Sequence, residues 1–484
     1  MRSKKRLISR RRFLTTAAAG AGTAAVASLV PATTACSSAN SANETIRVGV
    51  VGTGLRGLDH LWALGYPTGD PADLKRKVIE HLPIANVEVV AVCDAFDDVL
   101  DRAVAMVERR GKKPGRYVDW RKMLEKEKLD VVVISTPDHL HAPIAMDAID
   151  AGCDVYVEKC ITNKFEEIKP LGEALKKKQR ILQAGYQFRH DRMHQLAREI
   201  LNGSDQTLGK VHLVQLFMHR NGPTAGWASM YALNGGPARD KVHWEEFQRF
   251  APSRDYDPHR YFDWRRYFDY STGISGDLWT HELDVLQFTM GLGVPHTSVA
   301  SGGVRHWKDG RDTPDVFCVT NEYPEHDLTV SYNCTLSNAF AKRGEAAVFC
   351  GTDATMELSW EIKVYPERLS TKYAADLAAG KMQYNQPFTH VTDTAAGLQI
   401  EAAPTQTWLA GRGVTLTTRN GAVVDTTRIH HENFFDCVRT RKEPEASFER
   451  ALPSTIGAHM ATTSYLTGKR VTWDPVKQQM VLPS

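Results

Sequence analysis

Ile46-Arg47-Val48-Gly49-Val50-Val51-Gly52-Thr53-Gly54-Leu55-Arg56-Gly57 is the stretch that decides the fold. A short apolar run passes straight into a glycine turn, and residues 58–64 continue with helical character. Each glycine has a physical task in a strand–turn–helix unit that holds a pyrophosphate. Gly52 permits the tight turn, Gly54 lets the backbone approach the anion, and Gly57 allows close packing of the helix. Thr53, Leu55 and Arg56 complete the turn, whose helix N-terminus offers unpaired N–H groups and a positive dipole.

A lone glycine motif is weak, so its surroundings matter. A second apolar run, 87–93, ends at Asp94, a carboxylate placed to accept from a ribose hydroxyl. Asp94 lies 37 residues beyond Gly57, where about 20 is usual. Residues 66–86, with Pro67, Gly69, Pro71 and Pro83, read as a surface excursion that accounts for the excess. Asp94 disfavours a 2′-phosphate whereas Arg56 would pair with one, so NAD is preferred to NADP without excluding it.

Beyond Asp94 the pattern alternates: helix 97–110, strand 130–134, helix 139–151, strand 154–157, helix 165–178, strand 181–184. Such alternation builds a doubly wound parallel sheet. Ligands bind at the carboxyl ends of its strands, which gathers Asp94, Ser135-Thr136-Pro137 and Glu158-Lys159 around one crevice. After 211 the runs are short and β-rich (211–218, 316–321, 328–335, 414–418), as in an open sheet. Segment 373–404 is irregular and reads as loops or an insertion over one edge. Two final helical stretches, 430–437 and 453–466, are expected to pack on that second sheet.

Four motifs in order, the glycine turn, Thr136-Pro137-Asp138-His139-Leu140-His141, Glu158-Lys159 and Asp277-x-x-x-His281, resemble the Gfo/Idh/MocA oxidoreductases. The resemblance covers nearly all of the chain after residue 42. It implies α/β architecture: an N-terminal Rossmann domain (43–186) and a C-terminal α/β domain with a large open mixed sheet (187–484). It also implies NAD or NADP as cofactor and a sugar, inositol or related polyol as substrate. Asp277 and His281 match the family's catalytic pair and Lys159 its companion. Thr136, Pro137, His141 and Glu158 fall on the cofactor side of the crevice. Cys160 stands where the family motif has proline.

Read as chemistry, Asp277, His281 and Asp284 share a face of one helix. A carboxylate four residues from an imidazole is expected to hold one ring nitrogen and favour the imidazolium. The run Tyr261-Phe262-Asp263-Trp264-Arg265-Arg266-Tyr267-Phe268-Asp269-Tyr270 mixes aromatic and charged groups. Such a surface suits sugars, through ring faces and charged hydrogen bonds, and equally suits a domain interface. Trp264, Arg265 and Tyr267 are its substrate candidates, together with Arg189 after the last parallel strand.

The 484 residues are 42% hydrophobic and 24% charged, within the globular range. Of 60 basic side chains, seven fall in the first twelve residues, and no acid precedes Glu44. Without those seven, the 57 acids are in slight excess, which leaves no basic surplus for a nucleic-acid backbone. Residues 1–42 read as an address: Arg10-Arg11-Arg12-Phe13-Leu14 precedes a mild Ala/Gly/Thr run, a pattern that resembles a bacterial Tat signal. Export to the periplasm through the Tat machinery is therefore expected, with Cys36 a loose match to a lipid-anchor site. The other cysteines (Cys93, Cys153, Cys160, Cys318, Cys334, Cys350, Cys437) are scattered and odd in number, and read as small buried residues.

The expected function is exported, NAD(P)-dependent oxidation of a secondary alcohol on a carbohydrate, with retained cofactor and a homo-oligomeric protein. The alternative is a redox-neutral NAD-dependent glycosidase or epimerase working through a transient keto-sugar. A third, non-catalytic reading is a carbohydrate-binding protein on the same scaffold. No metal site is expected.

Overall fold

The computed structural model describes residues 44–69, 82–223, 239–339, 345–359, 361–392, 416–419 and 422–483. The expected address segment, most of the excursion at 70–81 and residues 393–404 lie outside them.

Six parallel strands form the first sheet: β1 (Ile46–Val51), β2 (Val87–Cys93), β3 (Gly115–Tyr117), β4 (Val131–Ile134), β5 (Asp154–Val157) and β6 (Leu182–Ala184). Their order is β3-β2-β1-β4-β5-β6. Val131-Val132-Val133-Ile134 is buried on both faces, as a central strand covered by helices on both sides must be. The edge strand β3 escapes the sequence reading because Gly-Arg-Tyr carries no apolar run and is only half-buried. The order reverses between β1 and β4, which puts a crevice at their carboxyl ends. Ser135 Oγ donates to the Gly52 carbonyl across that point at 2.7 Å.

The second lobe carries a mixed sheet of ten strands. These are β7 (Val211–Met218), β8 (Thr297–Gly303), β9 (Val316–Tyr323), β10 (Leu328–Thr335), β11 (Glu345–Gly351), β12 (Ala354–Leu358), β13 (Glu361–Pro366), β14 (Thr389–Thr392) and, after the separate hairpin β15 (Leu416–Arg419) and β16 (Ala422–Asp425), β17 (Val471–Asp474) and β18 (Gln479–Val481). The order is β14-β13-β12-β11-β7-β10-β9-β8-β17-β18, and β7 and β10 are its one parallel pair. Leu328, Val330, Tyr332 and Cys334 of β10 point into one core while their neighbours alternate outward, the period-two pattern of a sheet packed on one face. The irregular stretch after Tyr373 contains the helix Ala374–Ala378 and the edge strand β14.

The closing helices correct one expectation. Helix Thr426–Thr440 does not lie on the second sheet: Phe434, Phe435 and Val438 join the core of β1 and helix Leu55–Ala63, beside Val50, Leu61 and Tyr156. Helix Phe448–Thr467 faces both lobes, with Ile456 and Met460 in the first lobe's core and Ala461 in the second's. Apolar residues on two faces of this helix explain the bridging position.

Candidate active site

The glycine turn has the geometry its residues imply. Gly52 sits at φ +84°, and a Cβ on Gly57 would stand 2.0 Å from the Gly52 carbonyl oxygen. A Cβ on Gly54 would meet nothing within 4 Å among the described residues, so the backbone there is open toward them. Helix Leu55–Ala63 starts directly beneath. At the end of β2, Asp94 accepts from the Thr53 amide at 2.5 Å and the Phe96 amide at 2.9 Å. Burial raises its pKa against these hydrogen bonds. At the end of β4, the Thr136 hydroxyl is buried without a hydrogen-bond partner among the described residues. An open glycine cradle, a helix N-terminus, a strand-end carboxylate and a buried unmatched hydroxyl fit a dinucleotide.

Arg56 is turned away from that space. Its Nε donates to Glu158 Oε1 at 2.8 Å, so it is not poised for a 2′-phosphate. Glu158 also faces His60 Nε2 at 3.1 Å. Burial alone would raise the Glu158 pKa, but Arg56 and His60 hold it well below the usual carboxylate range. Gly185 makes room for it, since a Cβ there would come 2.6 Å from a Glu158 oxygen. Glu158 thus lies behind the turn. His141 is similarly internal, with Nδ1 2.7 Å from the Cys160 carbonyl and Nε2 2.9 Å from that of Thr136. It ties the end of β4, next to Pro137, to the segment after β5.

Lys159, one residue further, crosses to the other lobe. Its Nζ donates to Asp277 Oδ1 at 2.8 Å and to the Asp277 carbonyl at 2.5 Å. The peptide between Lys159 and Cys160 is cis. Asp277 lies in a π-helical turn, Ser275–Trp279, that precedes the α-helix Thr280–Met290. Gly276 lets this turn approach, since a Cβ there would be 3.2 Å from Cys160 Cβ and in collision with Thr272. On the far side, Arg265 Nε stands 3.3 Å from Asp277 Oδ2. Burial would raise the Asp277 pKa, but Lys159 and Arg265 outweigh it and hold the carboxyl at about 2.

The wider turn overturns the expected Asp277–His281 hydrogen bond. The Asp277 oxygens are engaged by Lys159 and Arg265, and His281 Nδ1 is buried with no hydrogen-bond partner among the described residues. Burial first, and the Lys159 charge second, lower the His281 pKa to about 3. The imidazole is neutral at physiological pH, the reverse of the imidazolium read from spacing. It packs against Phe188 and Tyr186.

Asp284 does not join this group either. It takes Arg189 in a two-pronged pair, Nη2 to Oδ1 at 2.7 Å and Nε to Oδ2 at 2.9 Å. Arg189 is therefore buried inside the lobe and not presented to a ligand. Tyr267 is likewise core, packed with Trp244, Phe247 and Tyr270. Trp264 and Arg265 stay partly exposed, stacked at 4.1 Å, with Arg265 leaning on Asp277.

Residues 46–186 match the family model described as "Oxidoreductase family, NAD-binding Rossmann fold". Residues 247–472 match its partner, "Oxidoreductase family, C-terminal alpha/beta domain". The chain belongs to the Gfo/Idh/MocA oxidoreductase family. Among curated relatives of this Gfo/Idh/MocA protein, the alpha-N-acetylgalactosaminidase of Shewanella oneidensis is 33% identical over 129 residues, 26% of this chain and 24% of that protein. Glycosyl hydrolase family 109 protein 1 of Shewanella sp. (strain ANA-3) is 30% identical over 142 residues, 28% of this chain and 27% of that protein. The chain thus matches about a quarter of the length of these relatives. Among solved structures, the WlbA dehydrogenase of Bordetella pertussis in complex with NADH and UDP-GlcNAcA superposes with a TM-score of 0.58 at 17% identity, over 89% of this chain and 99% of that one. Levoglucosan dehydrogenase in complex with NADH gives 0.59 at 18%, over 89% and 99%. At these identities the likeness is one of fold.

The sequence reading missed a buried histidine cluster behind the glycine turn. His60 Nδ1 lies 2.9 Å from His431 Nε2, and His430 Nδ1 lies 2.9 Å from His190 Nδ1. The only sequence signal is the pair His430-His431 inside an expected helix, and the missed return of that helix to the first lobe hid its meaning.

Proposed function

We propose that this protein is an exported, NAD-dependent oxidoreductase that oxidises a secondary alcohol of a carbohydrate or polyol and keeps its cofactor bound. The observation that carries the reading is the contact of Lys159, from the carboxyl end of β5, with Asp277 of the opposite lobe, four residues before His281, which feels the lysine's charge. NAD, when bound, supplies the hydride acceptor. Gly52, Gly54 and the helix N-terminus would hold its pyrophosphate, and Asp94 its ribose. The inward-facing Arg56 supports NAD over NADP.

The proton of the substrate hydroxyl goes to His281 or Lys159: the imidazole is neutral and so able to accept, although the burial and the Lys159 charge that keep it neutral also make it a weak base. Lys159, aimed by Asp277, steadies the charge that develops on the same oxygen. Arg265 holds the second oxygen of Asp277, so the carboxylate cannot rotate away from the lysine. The test is to isolate the protein and follow absorbance in the reduced-nicotinamide band while sugars are added singly. A band that grows with one sugar, and is lost in Lys159→Ala and His281→Ala, is the expected result; unchanged turnover in those variants refutes it.

A second reading, a redox-neutral glycosidase, draws support from the partial likeness to the alpha-N-acetylgalactosaminidase. Released aglycone with no net NADH would favour it. Residues 9–14 and the mild apolar run after them support export of the folded, cofactor-loaded protein, with Cys36 the candidate lipid acceptor. Cell fractionation of the full chain and of an Arg10→Lys/Arg11→Lys/Arg12→Lys variant tests this.

A further inference from the structure

The first lobe does not end its crevice alone. From the second lobe, residues 239–262 run along the loop after β2, where a dinucleotide's adenosine half belongs by the topology of the sheet. Val242 pairs with Phe96 in an isolated antiparallel bridge, and the His243 amide donates to the Ala95 carbonyl at 2.8 Å. Lys241 Nζ reaches Asp98 Oδ1 at 2.7 Å, and His243 Nε2 lies 3.4 Å from Asp97 Oδ1. Phe96, Val99, Val242 and Phe262 form a small core of their own. The Tyr261 hydroxyl stands 3.5 Å from Asp94 Oδ1, the carboxylate a ribose would use, and its ring packs on Phe247 at 4.7 Å. The middle of this segment is pinned to the loop after β4, with His139 Nε2 2.7 Å from the Phe247 carbonyl.

We infer that residues 239–262 form a strap that the second lobe lays over the adenosine half of the cofactor site, with Tyr261 a binding residue there, and that this strap makes cofactor release slow. The inference rests on the NAD reading above and adds the means of retention. A nucleotide seated over Asp94 and the glycine turn would be walled by groups from both lobes. Leaving would require the Val242–Phe96 and His243–Ala95 pairings to part. The aromatic run read from sequence as a sugar surface or an interface thus divides. Tyr261 and Phe262 belong to the strap, and Trp264 and Arg265 lie nearer Asp277.

The experiment loads the full chain with NADH, chases with excess NAD and follows the loss of bound-NADH fluorescence; AMP serves as the probe for the adenosine half. In Tyr261→Ala and in Lys241→Ala/His243→Ala, NADH should leave about tenfold faster, and AMP should compete about tenfold more weakly in the Tyr261 variant. Tyr261→Phe, which keeps the ring, provides the same comparison with less risk to folding, and melting curves check that each variant is folded. Folded variants that bind NADH and release it at the parental rate overturn the strap while leaving the cofactor reading intact. A parent chain that takes up no NADH overturns the cofactor reading and the strap with it.

Discussion

The Lys159 ammonium is held 2.8 Å from Asp277 Oδ1, so a strand end of one lobe and a π turn of the other meet in a single ion pair. Both side chains are largely buried. Removing one partner from a buried pair strands a charge. Asp277→Asn should therefore lower kcat by about 10²–10⁴, the range of a positioned acid–base group, while NADH still binds. Lys159→Ala should act similarly. Single-turnover kinetics beside NADH titration separates the two effects; an equal loss of NADH binding would instead place Asp277 in the fold of the cofactor site.

Acid should unfold this protein unusually early. Burial holds His139, His190 and His459 at about 4 and His281 at about 3, and also lowers His60, His430 and His431. Between about 6.5 and these values the unfolded chain binds more protons than the folded one, so stability falls as pH falls. Each such histidine contributes about 1.4 kcal/mol per pH unit across its window. Asp425, raised by burial to about 7, works the other way, since its folded form keeps a proton that the unfolded chain releases. Burial also raises Asp94, Glu167, Asp284 and Asp312, which act as Asp425 does, so five carboxyls stand against seven imidazoles and the histidines prevail. Urea midpoints should drop clearly from pH 7.5 to 5.5, and a flat profile would mean these imidazoles are solvated.

The parallel sheet and its crevice were legible because every step is local: an apolar run, a glycine with a forced conformation, a carboxylate at a strand end. Lys159, Asp277 and His281 could be named by their motifs, and of these Lys159 and Asp277 are in direct contact. Their protonation could not be read, because it depends on the π turn, which re-aims Asp277, and on burial. Arg189 illustrates the same limit. An arginine after a strand end is an equally good ligand or core partner until Asp284, 95 residues away, is seen to take it. The destination of the His430-His431 helix was hidden because amphipathicity says that a face is buried and not against what.

Arg189 and Asp284 supply a stability test that also decides the substrate question. Besides its two bonds to Asp284, Arg189 donates to the carbonyls of Glu445 and Arg450 at 3.0 and 3.1 Å. It therefore binds the crossover after β6, helix Thr280–Met290 and the segment before the last helix into one unit. Asp284→Asn should destabilise the fold by about 3–5 kcal/mol by leaving the guanidinium under-compensated, measured by urea unfolding. Unchanged stability with a raised KM would return Arg189 to the substrate.

Gly54 and Gly57 separate folding from binding within one turn. A methyl on Gly57 would collide with the Gly52 carbonyl at 2.0 Å, backbone that cannot swing aside, with the Ser135 hydroxyl 3.2 Å away. Gly57→Ala should destabilise the first lobe and lower the yield of folded protein. At Gly54 the same methyl meets nothing within 4 Å among the described residues, and the residue's φ of −65° and ψ of −158° are accessible to alanine. Gly54→Ala should melt within a degree or two of the parent, about the shift of a surface change. Yet it should bind NADH at least about tenfold more weakly, because the methyl fills the space through which a pyrophosphate reaches the backbone. Equal NADH affinity in a folded Gly54→Ala protein would show that the anion does not sit on this turn.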